Sequence, residues 1–382
     1  MPTIQHQHNQ KPMHCILIGV TTPSPRSDED AAWKIVTQQV TEVDGATVNW
    51  VSSSKAHDEG KPTQLLCATT DAPVDDVVVA TSQALGDCHS CEMWASAPAI
   101  LPLRPLDGYN KHLHDEGNNF SDPISREEWA TSTMKEWGMF AQTALLDACE
   151  IQELRTCVND EISSIEKLIQ LHRPDINIGK DTMSFQEIAS RGNERFDLLL
   201  QSTSDARSFV ERVVLERISS TLEEMLDGRV DEDVNFDISV VYSKPGAPNQ
   251  GWHADGDHQR GTNDAGWDVD GWKNRLSEPY ALCLFIPLID LDDETGFTQF
   301  WPASHRHKGL MGFGPAAEIA EATWDGKCKA GDAIWYDYRL MHRGMGNTSK
   351  VVRPVVQVLF KKTWYDEKRN YGTDSLRQML PA

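Results

Sequence analysis

From Met13 to Ala97, short apolar runs alternate with stretches whose apolar residues recur at helical spacing. Cys15 to Val20 reads as a strand, and Ser27 with Asp30 opens a helix carrying Trp33, Val36, Val40 and Val43. Asp44-Gly45 is a turn signal, followed by strands around Val48 to Val51 and Leu65 to Ala68. A second helix starts at Asp71 and Pro73, carries Val74, Val77, Val78 and Leu85, and stops at Gly86; Glu92 to Ala95 closes the set as a strand. The order strand, helix, strand, strand, helix, strand is that of a ferredoxin-like split βαβ unit. It carries no catalytic constellation, and a homodimer contact is the role it suggests. Leu101 to Asp122 has turn residues and little periodicity, as in a linker.

Beyond the linker the pattern is helical first and strand-like afterwards. Ser125 with Glu128 forms a capping box ahead of Trp129, Thr133 and Trp137. A longer helix is expected over Ile151 to His172, with Ile151, Leu154, Val158, Ile162, Ile165 and Ile169 as its stripe. Another spans Asp205 to Leu226, with Val210, Val214, Ile218, Leu222 and Met225 inward and Gly228 as its stop. Strands are then expected at Phe236 to Ser243, Tyr280 to Leu288, Phe297 to Trp301, Ala333 to Tyr338 and Pro354 to Trp364. Helices followed by a run of strands suggest an α-decorated β-sandwich or jelly roll. The expected division is residues 1–100, a linker at 101–124, and 125–382.

Composition narrows the functions. The 382 residues fit two domains, and 39% hydrophobic residues with 12 Trp and 11 Phe can fill a core. With 36 Lys+Arg against 58 Asp+Glu, the net charge of −22 argues against a nucleic-acid binder. No window approaches the ~20 apolar residues needed to cross a bilayer, and Ile16 to Val20 is too short for a secretory signal. A soluble cytoplasmic protein without membrane attachment is expected. Eight cysteines are too sparse for a disulfide scaffold, and six of them (Cys15, Cys67, Cys149, Cys157, Cys283 and Cys328) lie in or beside apolar segments as small core residues do. Cys88-His89-Ser90-Cys91 has no second ligand pair at finger spacing, and His112-Leu113-His114-Asp115 sits in a polar loop that collects such residues by chance.

The chemistry lies in Asn249-Gln250-Gly251-Trp252-His253-Ala254-Asp255-Gly256. In an extended chain residues i and i+2 point the same way, so His253 and Asp255 can share one metal. A second element, Gly331 to His342, is a strand that delivers His342, and Arg353 follows at the start of another. Two imidazoles and one carboxylate on one face suit non-haem Fe(II) with coordination positions left open. Asp257 and His258 are alternative ligands; His305 and His307 read as turn caps; Arg191 and Arg195 read as ion-pair partners for nearby acids, with binding of a substrate carboxylate near the mouth as the alternative.

These residues, taken in order, resemble the Fe(II)/2-oxoglutarate-dependent dioxygenases, in particular the phytanoyl-CoA dioxygenase-like branch that includes ectoine hydroxylase. The resemblance runs through Lys244-Pro245, Trp252-His253-Ala254-Asp255, Ile286-Pro287-Leu288 and Gly296 to His305. It continues with Gly331-Asp332, His342-Arg343-Gly344, Asn347 and Arg353. It implies a double-stranded β-helix core, Fe(II) on His253, Asp255 and His342, 2-oxoglutarate held by Arg353 with Thr298 lining the pocket, and O2 as oxidant. It also implies a small-molecule substrate whose C–H bond is oxidised while 2-oxoglutarate is converted to succinate and CO2; hydroxylation leads, with cyclisation and desaturation as alternatives. A non-catalytic jelly-roll binding protein is a further, non-enzymatic alternative. Halogenating relatives have Ala or Gly at the carboxylate position, where this chain has Asp255. Ala303 replaces the Gly of the family's Pro-Gly-Ser-His turn, and an insertion between Asp255 and Pro279 carries Trp267 and Trp272.

Overall fold

The computed structural model describes strand residues 14–21, 46–51, 63–70, 92–93 and 99–101. It then describes residues 125–230, 232–256, 279–306, 310, 314–319, 322–367 and 371–379. The chain divides into two compact units, one of residues 1–107, 259–276 and 309–323 and the other of 108–258, 277–308 and 324–382. The helices expected at Ser27 and Asp71, the Cys88 and His112 motifs, Asp257, His258, His307, Trp267 and Trp272 lie outside the described residues.

In the first unit, β1 (His14–Thr21), β2 (Ala46–Val51), β3 (Thr63–Thr70), β4 (Glu92–Met93) and β5 (Ala99–Leu101) form one antiparallel sheet. Its order is β2-β3-β1-β4, with β5 also paired to β1. Leu101, expected to open the linker, instead pairs with Cys15.

In the second unit the capping signals set where helices begin. Ser125 accepts from Glu128 N and Glu128 accepts from Ser125 N, both at 3.1 Å, starting α1 (Arg126–Trp137). Asp147 and Glu150 make the same reciprocal pair before α2 (Ala148–His172), three residues earlier than the apolar stripe alone predicts. Leu154, Val158, Ile162, Ile165 and Ile169 are buried, each stabilising by roughly 1.5–3 kcal/mol relative to an exposed position. Cys149, in the first turn, is exposed rather than a core thiol. The third helix is not uniform: α3 (Asp205–Phe209) passes through a π turn at Val210–Val214 into α4 (Leu215–Leu226). It ends at Leu226 as expected, capped by Asp227 in the left-handed conformation (φ 47°), a region that a short polar side chain tolerates.

The strands form two antiparallel sheets. In the larger, β6 (Met139–Gln142), β7 (Ile188–Ser190), β8 (Arg195–Leu199), β9 (Val234–Ser243), β10 (Ala281–Pro287), β13 (Ala333–Asp337) and β15 (Arg353–Lys362) run in the order β6-β13-β10-β15-β9-β8-β7. In the smaller, β11 (Thr298–Phe300) lies between β12 (Trp324–Asp325) and β14 (His342–Gly344). Strands β6, β7, β8, β12 and β14 escape the sequence pattern because they are short, and His342, expected at the end of the strand from Gly331, instead opens β14 after β13 stops at Asp337.

Period-2 alternation gives the large sheet two faces. Ile238, Val240 and Tyr242 of β9, Leu282, Leu284 and Ile286 of β10, and Val356, Val358 and Phe360 of β15 join α2 and α4 residues in one core cluster. The intervening residues Asp237, Ser239, Val241, Phe285, Val355, Gln357 and Leu359 line a cavity of about 650 Å³. The helices thus cover one face, and the other is left for the site.

Candidate active site

His253 and His342 form an isolated antiparallel bridge beside β14. His253 N donates to His342 O at 2.9 Å and His342 N to His253 O at 2.7 Å. Directly opposed residues of such a pair carry their side chains on the same face, and the ring centroids are 4.5 Å apart. Asp255, two residues beyond His253, returns to that face. The three ligating atoms lie within 4.8 Å of one another, close enough for one ion to touch all three.

Backbone carbonyls orient both rings. Nδ1 of His253 is 2.8 Å from Gly251 O, and Nδ1 of His342 is 2.9 Å from Leu340 O. A carbonyl only accepts, so each Nδ1 carries the proton and each Nε2 is left with its lone pair. Those Nε2 atoms face Asp255, at 3.8 Å from His253 and 3.6 Å from His342. Burial pushes the His342 pKa down to about 4, which keeps the ring neutral and able to ligate. Tyr336 OH donates to Asp255 Oδ2 at 3.1 Å and fixes the carboxylate. Gly256 lets this turn close, since a Cβ there would meet Tyr280 and Tyr338.

The ladder register builds a second cluster. Ser243 on β9 is paired with Arg353 on β15 and with Arg195 on β8, so the three side chains share one row on the cavity face. Arg353 Nη1 donates to Thr295 O at 3.2 Å and Met345 O at 3.1 Å. Arg195 donates to Gln250 Oε1 at 2.9 Å, Pro248 O at 2.9 Å and Met345 O at 3.0 Å. Both guanidiniums are buried, and neither has a carboxylate partner among the described residues. Burial, with the charge of Arg195 adding to it, lowers the Arg353 pKa to about 9; burial lowers that of Arg195 to about 10. Ser243 Oγ is buried without a hydrogen-bond partner among the described residues. Gly296 (φ 78°) lies against Arg353, where a Cβ would strike the guanidinium. Two buried cations beside an unsatisfied hydroxyl form a receptor for an anion that accepts hydrogen bonds.

The expected residues are therefore brought together: His253, Asp255, His342, Thr298 and Arg353 all line the same cavity. One expectation is corrected. Arg191 does pair with an acid, Asp197, at 2.6 Å, but Arg195 does not, because its register on β8 turns it inward and Arg191 already holds the neighbouring carboxylate. Arg343 points away from His342: its Nε donates to Gln299 at 2.9 Å and its guanidinium lies over Trp252. His305 is buried in a 3-10 turn (Ser304–Arg306), outside the cavity lining. Sequence reasoning gave no role to Ser243, Gln250 or Tyr336. Gln250 carried a signal in lying three residues before His253; the other two depend on strand pairing.

Residues 168–355 match the family model described as phytanoyl-CoA dioxygenase. A curated relative, Dioxygenase hkm4 of Aspergillus hancockii, is 31% identical over 147 residues, covering 37% of this chain and 44% of the relative. The match thus spans less than half of that relative's length. Among solved structures, EctD from S. alaskensis with 2-oxoglutarate and 5-hydroxyectoine is 15% identical (TM-score 0.44), covering 69% of this chain and 84% of that one. AviO1 from Streptomyces viridochromogenes is 17% identical (TM-score 0.44), covering 62% and 95%. The segment that matches this family model contains Arg195, the His253–His342 pair, Asp255 and Arg353.

Proposed function

We propose that this chain is an Fe(II)- and 2-oxoglutarate-dependent oxygenase that hydroxylates a C–H bond of a small molecule. The observation that carries the reading is the pairing of two clusters in one cavity: two imidazoles with a carboxylate and, apart from them, a buried cationic row that has no carboxylate partner among the described residues. Such a face suits Fe(II) with open positions. A dicarboxylate fits the row, since either guanidinium can bind a carboxylate bidentately and Ser243 can donate to it. Bound there, iron with 2-oxoglutarate and O2 supplies the oxidising chemistry and releases succinate and CO2.

The chain's own residues do the positioning. Gly251 O and Leu340 O hold the imidazoles in the ligating tautomer, and Tyr336 steadies Asp255. Arg353 and Arg195 neutralise the co-substrate charge that a protein of net charge −22 would otherwise repel. Asp255 occupies the position a halide would need, which favours oxygen chemistry. Phe285, Leu359 and Val355 supply the apolar wall for a substrate.

The same reading extends to the fold. The seven- and three-stranded sheets form a double-stranded β-helix, and the β2-β3-β1-β4 order supports a ferredoxin-like first unit. The test is iron binding and 2-oxoglutarate turnover by the wild type and His342→Ala. Stoichiometric iron and succinate formation in the wild type, with both lost in the variant, supports it; full turnover in His342→Ala overturns it.

A further inference from the structure

The oxygenase reading leaves one carboxylate in the cavity without a task. Glu367 lines the cavity together with Tyr338, Gln357, Leu359, Asp237 and Tyr371. Its Oε2 is shielded from solvent and has no hydrogen-bond partner among the described residues. The hydroxyls of Tyr338 and Tyr365 donate to the same carboxylate. Two other acids lining the cavity have cationic partners: Asp197 has Arg191 and Asp237 has Lys361, each at 2.6 Å, although Asp197 Oδ1 also lacks a hydrogen-bond partner among the described residues. Lys361, the cation whose field reaches Glu367, is therefore already committed. We propose that Glu367 is the substrate-recognition residue of this cavity and that the substrate presents to it a protonated amine on an apolar body.

The position suits that role. Tyr338, which holds Glu367, accepts from Gly256 N at 2.8 Å through its backbone carbonyl, and Gly256 follows Asp255 directly. Glu367 thus stands about one side chain from the His-Asp-His face. Arg353 lies at the start of β15 and Lys361 near its end, so the co-substrate row and Glu367 belong to opposite ends of the cavity. The two anion-binding arginines and the cation-binding glutamate do not compete.

The segment that carries Glu367 is anchored further along. Gly372 N donates to Phe185 O at 3.1 Å, Gln186 N to Asp374 O at 2.8 Å, and Leu376 N to the Glu187 carboxylate at 3.0 Å. The Tyr371 hydroxyl bonds to Asp197. Burial, with the charge of Asp255 as a lesser cause, raises the Glu367 pKa above the ordinary carboxylate value. A cationic partner reverses that penalty, whereas an anionic one deepens it. A charge-assisted hydrogen bond in such a site separates a cationic ligand from its neutral isostere by about tenfold or more. Phe285, Leu359 and the Tyr338 ring provide the apolar wall for its body.

This inference rests on the oxygenase reading, and the test separates the two. The probes are phenethylamine and 2-phenylethanol, titrated into the anaerobic protein loaded with Fe(II) and 2-oxoglutarate and followed by change in the visible band. Wild type is expected to bind the amine at least tenfold more tightly than the alcohol. Glu367→Gln is expected to lose that preference, and Glu367→Asp to keep part of it. An equal preference in wild type and Glu367→Gln overturns the inference, as does a wild type that prefers neither probe or binds neither. If Fe(II) and 2-oxoglutarate load but the preference is absent, only the role of Glu367 fails. If neither loads, the oxygenase reading fails, and this inference with it.

Discussion

Arg353 and Arg195, on two strands that flank β9, both donate to the carbonyl of Met345, at 3.1 and 3.0 Å. Two like charges at one carbonyl, both buried and without a carboxylate partner among the described residues, suit an anion that arrives from outside the chain. On the proposed function, Arg195 is a partner of Arg353 in holding the co-substrate. Arg195→Met is expected to weaken 2-oxoglutarate by at least tenfold, the loss of one charge-assisted bond of ~1.5–3 kcal/mol. Iron affinity should not change, because Arg195 touches none of the three ligands. Isothermal titration of each component separately checks both statements.

Asp255 bears on the proposed reaction outcome. As a ligand in the proposed set, its carboxylate would fill the coordination position that a chloride would take, so the unmodified protein turning over in chloride buffer should give an oxygenated product and no chlorinated one. Mass spectrometry of the products decides it through the chlorine isotope pattern.

Ala303 sits at φ 66°, a left-handed conformation in which an L side chain costs roughly 1–2 kcal/mol. Glycine adopts that region freely, although it loses part of the gain through its larger unfolded-state entropy. Ala303→Gly should therefore stabilise the protein by up to ~1 kcal/mol, a rise of about 2–4 °C in thermal midpoint. A fall in the midpoint would show that the methyl packs better than the backbone strains.

His305 gives a pH signature. Burial pushes its pKa from 6.5 down to about 3 in the folded chain. Between those values the unfolded chain holds a proton that the folded chain lacks, so stability falls as acid is added, by up to ~1.4 kcal/mol per pH unit. The contribution is complete above pH 6.5 and is lost progressively toward pH 3. His305→Gln should flatten the dependence of unfolding free energy on pH below 6.5, read from urea melts between pH 7 and 5.

The sequence exposed more of the chemistry than of the frame. His253, Asp255, His342 and Arg353 were legible because period-2 geometry and a resembling order of motifs act over short spans. The capped helices were legible for the same reason, since Ser125 with Glu128 is a local signal. Arg195 and Ser243 were not, because their meaning comes from the register of β8 and β15 on β9, set by pairing between distant segments. Glu367 was hidden too: nothing around it is periodic, and its setting depends on Tyr338 and Tyr365 reaching it.

On the proposed function, one cavity holds Fe(II) at His253, Asp255 and His342 and 2-oxoglutarate at Arg353. An anaerobic 2-oxoglutarate titration of the Fe(II) protein, followed by the weak visible charge-transfer band, reads both sites at once. Wild type is expected to saturate and Arg353→Ala to bind two to three orders of magnitude more weakly, since removing one partner of a buried ion pair costs ~3–5 kcal/mol. Arg353→Lys should recover only part, because an ammonium supplies the charge without the planar fork. An unchanged dissociation constant in Arg353→Ala would contradict the account and leave a metal site that does not use 2-oxoglutarate there.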